Sequence, residues 1–97
     1  MSDQIRVNYP ALQEMAQHCV KVAQKLGDTQ QMAAKIAAGM VDGALVGDTG
    51  EQFAAALNGP FSQAVSRMQQ KFMEVSQDIR GAIADMQAAD RSAGGNF

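Results

Sequence analysis

Two groups of side chains in this 97-residue chain invite a chemical reading. His18 is the only histidine and stands next to Cys19, the only cysteine, so the pair suggests a Cys-His nucleophile or part of a metal site. Adjacent residues on a helix point about 100° apart, so neither can act on the other without a third group brought in by folding. Zinc generally takes four ligands, of which this stretch offers two, so a metal would need a partner chain to complete it. The structural reading is a thiol on an apolar seam with a histidine beside it. The second group is acidic. Asp78 and Asp85 are one heptad apart, roughly 10 Å along a helix, on a face with no evident pocket, and read as solvated charges rather than an acid–base pair. Asp85 and Asp90 read the same way. No constellation supports an enzyme, and none calls for a cofactor.

These residues sit on a strong apolar repeat. Leu12, Met15, Cys19, Val22, Leu26, Thr29, Ala33, Ile36 and Met40 follow one another at alternating steps of three and four, the spacing of a helical seam. Ala16, Ala23 and Ala37 run beside it, with Val20 and Val41 one step further round. Phe61, Val65, Met68, Phe72, Val75, Ile79, Ala82, Met86 and Ala89 repeat the pattern, and Phe53 and Leu57 lead into them at a shifted phase. The reading is all-α: an antiparallel helical hairpin, one domain over 1–97, with helix one over about 10–42 and helix two over about 51–90. Pro10 suits a first helical turn, with Asn8 or Tyr9 just outside it. The turn is assigned to 43–50, where glycines end one helix and Asp48 with Glu51, or Thr49 with Gln52, forms a capping box for the next. Pro60 lacks an N–H and predicts a kink or a short separate turn. From Arg91 the periodicity stops, and a mobile tail is expected.

Seven Met, four Phe, one Tyr and no Trp give an apolar set that favours helices over sheets. Eight basic against ten acidic residues, without a basic cluster, argue against a nucleic-acid partner. A lone cysteine closes no intrachain disulfide. The first residues lack the apolar stretch of about 7–15 that a cleaved signal peptide requires, and nowhere do about 18 apolar residues run together. Leu12, Met15, Cys19, Val22, Leu26, Ile36 and Met40, with Phe61, Met68, Phe72, Val75 and Ile79, are the expected packing residues. The methionines read as core filler. Two helices bury one face of each and leave flanks such as Val20, Met32, Val41, Met73, Ile83 and the alanine row wet. A lone hairpin is therefore marginal, and two hairpins joined in a four-helix bundle solve the problem, as two copies or as this chain with a related one.

The sequence resembles the WXG family of type VII secretion substrates, the ESAT-like or Esx-like proteins. The family's Trp-x-Gly turn falls on Leu45-Val46-Gly47, with Leu45 in place of the Trp, and continues through Asp48, Thr49 and Gly50 to Phe53. The opening Asn8-Tyr9-Pro10-Ala11 is similar to the start of some members. The family's Tyr-x-x-x-Asp/Glu export signal falls on Met86 to Asp90, with Met86 in place of the Tyr. Such membership implies a non-enzymatic helical hairpin, exported folded and as a dimer by a membrane ATPase that reads the end of helix two. It implies a cytoplasmic origin and a place outside the cell, as effector, adaptor, membrane-active factor or co-secreted partner. A type III needle subunit, also a short helical hairpin, is the alternative from another class.

Overall fold

The computed structural model describes residues 7–44 and 47–95, the side chains of 44 and 93–95 excepted. Asn8 opens the first helix: its side-chain oxygen accepts from the Ala11 N–H at 3.0 Å, and Pro10 fits the first turn because no intrahelical partner waits for its missing N–H. From there α1 runs over Tyr9–Gly39. A wide turn over Met40–Ala44 follows, and Gly43 breaks it at φ 133°, a backbone angle that a side chain would strain. Leu45 and Val46 lie outside the described residues.

The second arm begins earlier than its sequence pattern predicts. Helix α2 spans Asp48–Ala56, behind Gly47 at φ 98°, and no side chain caps it. The expected capping box does not form, because Asp48 and Thr49 are already inside the helix. Asp48 and Glu51 instead place negative charge on its first turn, which favours the positive end of the helix dipole. Pro60 is absorbed in a single π-helical turn, Leu57–Phe61, that widens the helix by one residue. That extra residue is the phase slip seen between Leu57 and Phe61. Helix α3 then runs over Ser62–Gly95, continuing past Arg91, where the repeat itself stops.

The two arms lie antiparallel as a rod of 75 × 21 × 16 Å, with no strand among the described residues. The seam between them is made mostly of small side chains. Ala16, Ala23, Ala33 and Ala37 of α1 and Ala54 of α2 are buried with Val65, Ser76 and Ile83 of α3. Within the single chain the expected packing residues divide into two groups. Leu12, Cys19, Leu26, Met40, Phe72 and Ile79 are half-buried, whereas Met15, Val22, Ile36, Phe61, Met68 and Val75 stay exposed within the chain. The alanine row and Ile83, expected on the flanks, form the core. Of the methionines, Met15, Met32, Met68 and Met73 are exposed within the hairpin rather than filling its core, while Met40 and Met86 are half-buried.

Polar clamps account for part of this choice. The Gln30 amide nitrogen lies 2.6 Å from Ser62 Oγ, 3.0 Å from Ser66 Oγ and 3.1 Å from the Ser62 carbonyl, so its two hydrogens are shared among three acceptors. From the other arm, the Gln69 amide donates to the Ala23 carbonyl at 2.9 Å. Alanine lets the helices come close enough for these reaches. A Cβ at Gly27 would stand 2.9 Å from the Gln69 amide nitrogen, so a side chain there would displace the end of this clamp.

Candidate interaction surface

The seam fixes what the rest of each helix faces. Met15, Val22, Thr29 and Ile36 each precede a seam residue of α1 (Ala16, Ala23, Gln30, Ala37). Phe61, Met68, Val75 and Ala82 each precede a seam residue of the second arm (Ser62, Gln69, Ser76, Ile83). In an antiparallel pair the columns that precede the seam on the two helices emerge on the same side. One side of the hairpin is therefore an apolar surface built by both arms, and its six large side chains are 36 to 53% exposed. Fully covering a side chain of this size is worth about 1.5–3 kcal/mol.

Thr29 is the one polar residue in these columns, and its hydroxyl donates to the Lys25 carbonyl at 3.0 Å. The donor is satisfied within its own helix, so covering this side strands no hydrogen. The opposite side carries glutamines and charged residues around a partly apolar floor. There Val20, Ala23 and Gln24 of α1 line an open groove with Arg67, Gln70, Met73, Glu74 and Gln77 of α3. Gln13 and Gln17 continue it with Arg80 and Gln87 toward the open end of the hairpin.

A different contact ties that open end. The Tyr9 hydroxyl donates to Asp90 Oδ2 at 2.6 Å, joining residues 81 positions apart. The hydrogen bond to Asp90, then desolvation, then the negative charge of Asp90 raise the Tyr9 phenol above its ordinary pKa of 10.0. Asp90 is exposed and Met86, one turn before it, is half-buried. At the other end, Gly47, Asp48 and Thr49 are exposed while Gly50 is buried in the first turn of α2.

Nothing in the geometry builds a reactive centre from the remaining candidates. His18 is exposed and Cys19 is a half-buried free thiol. Asp78 and Asp85 are exposed along α3. Among the described residues no three His, Cys, Asp or Glu side chains stand where they could hold a metal ion, and no helix is long and apolar enough to cross a membrane.

The sequence model of a family described as proteins of 100 residues with WXG, WXG100, matches residues 4–91. The chain belongs to the WXG100 family. No curated protein and no solved structure matches it. WXG100 membership implies a type VII secreted helical protein, and the hairpin seen here is the fold of that family. WXG100 proteins typically pair with WXG partners, and they are not known as enzymes. Three parts of this surface escaped the sequence reading: the clamps Gln30 and Gln69, and Tyr9 as the partner of Asp90. Gln30 left a trace, because it stands one heptad from Ala23 and from Ala37 and interrupts an otherwise uniform alanine column.

Proposed function

We propose that this WXG100 chain is one half of a four-helix bundle, exported folded through a type VII system, and that it acts outside the cell without catalysis, as effector, adaptor or co-secreted partner. The apolar side built by Met15, Val22 and Ile36 with Phe61, Met68 and Val75 carries this reading. A second hairpin, from another copy or from a related chain, covers it. The half-buried residues Leu12, Cys19, Leu26, Met40, Phe72 and Ile79 stand between that face and the alanine seam and pack against both.

Asp90 with Met86 forms the export determinant recognised by the membrane ATPase. Tyr9, hydrogen-bonded to Asp90, supplies beside it the aromatic ring that position 86 lacks. The turn motif at Gly47, Asp48, Thr49 and Gly50 lies at the opposite end of the bundle. Secretion assays of the chain shortened by residues 86–97 test the reading. Export is lost while the remaining helices keep their circular dichroism; continued secretion of the shortened chain would refute the export role.

A further inference from the structure

The groove side of the hairpin carries a pattern that pairing through the apolar side does not use. Gln17, Gln24 and Gln31 stand one heptad apart on α1. Gln63, Gln70 and Gln77 stand one heptad apart on α3. Gln24 and Gln70 line the same groove, and the Gln69 to Ala23 hydrogen bond sets them at the same level along the rod. The outer edges of this side are charged. On α1 the edge reads Glu14, Lys21, Asp28, Lys35, with alternating signs at heptad spacing, and on α3 it reads Arg67, Glu74.

From this we infer that the glutamine side binds a second copy of the same chain, antiparallel, about a two-fold axis at the level of Gln24 and Gln70. Residues at matching distances before and after that level, to within one position, come opposite one another. Gln24 and Gln70 then meet their own copies, Gln17 meets Gln31, and Gln63 meets Gln77. An amide is its own complement, carrying both donor and acceptor. Along the edges Lys21 meets Asp28, Glu14 meets Lys35 and Arg67 meets Glu74. Each contact occurs twice by symmetry, so every edge charge named has an opposite partner.

The floor fits the same operation. Val20 of one copy comes over Gly27 of the other, and Met73 over Ser66, so the larger side chains meet the smaller. Glu74 now holds an exposed ion pair with Lys71 at 3.3 Å, a contact of the kind that exchanges at little cost. The match is particular to this side. Lys25 and Lys71, which edge the apolar side at mid-length, meet like charges when the apolar side is paired with its own copy in this manner. The inference does not depend on which chain covers the apolar side.

Sedimentation analysis tests it, using the full chain with Val22→Glu and Met68→Glu so that the apolar side does not associate. The expected result is a reversible monomer–dimer equilibrium in low salt, weakened about tenfold or more in 0.5 M salt because exposed pairs are screened. Asp28→Lys weakens the dimer about tenfold in low salt by setting lysine against lysine, and adding Lys21→Asp restores it to within about threefold. Should the doubly substituted chain lose its helical circular dichroism, the same charge series in the otherwise unaltered chain gives the answer, as a salt-dependent doubling of the mass seen in 0.5 M salt. Absence of salt-sensitive doubling in a folded chain, or failure of the exchanged pair to restore it, overturns the inference. A salt-insensitive association that survives Val22→Glu with Met68→Glu counts instead against the apolar pairing proposed above.

Discussion

The alanine seam and the apolar side lie one residue apart on the same helices and do opposite work. The seam is built mostly of small side chains with amide clamps, and it closes the hairpin on itself. The apolar side is built of Met, Val, Ile and Phe, and within the chain it closes nothing. Hydrophobic bulk alone therefore does not mark the intramolecular core of this molecule. Close approach does, because Gln30 and Gln69 reach their partners only where alanine keeps the helices near each other. The bulkier columns are left where another hairpin is needed to cover them.

Substitutions separate the two surfaces. The largest effect falls on association: Val22→Glu with Met68→Glu lowers it by at least about a hundredfold in sedimentation equilibrium, since each removes a side chain worth about 1.5–3 kcal/mol when covered and buries a charge in its place. Ala16→Leu comes next. Ala16 is wholly buried, so a larger side chain forces the arms apart and costs about 1–3 kcal/mol in chemical denaturation. A leucine at Met15, one residue away, changes stability by under about 1.5 kcal/mol. Gln69→Ala removes a clamp and costs about 1 kcal/mol.

The smallest effect is spectroscopic. Tyr9 is the only tyrosine, so the alkaline absorbance titration of the chain reports it alone. Its midpoint lies above 10.0 and falls back toward that value in Asp90→Ala. The sign follows from the raised pKa: the contact contributes in full below pH 10.0 and is lost as the pH rises through the higher folded value. A midpoint unchanged by Asp90→Ala would show that the clasp at the open end does not persist in solution.

Periodicity made the helices, the break near Gly43 and the slip at Pro60 legible, because each follows from local spacing or from the chemistry of one residue. It could not choose which column closes the hairpin. Leu12, Cys19, Leu26, Ala33 and Met40 belong equally to a seam that continues through Met15 and Val22 or through Ala16 and Ala23. The choice rests on Gln30 and Gln69 finding acceptors on the other arm, which spacing does not record. For the same reason Asp48 reads as a cap in the sequence and is not one in the fold: where α2 begins is set by the backbone at Gly47. Of the surface, Asp90 was legible as an acidic group near the end of helix two, whereas Tyr9, 81 positions away, was not.

Methionine oxidation with mass-spectrometric mapping tests the central claim most directly, because Met15 and Met68 lie within the apolar side while Met32 lies on its outer edge, one heptad beyond Lys25, and all three are exposed in the single chain. In the associated protein, Met15 and Met68 become slow to oxidise while Met32 stays fast, and on dilution to the single chain the three react alike. Equal reactivity of all three in the associated protein would contradict the account, since the apolar side would then be left uncovered.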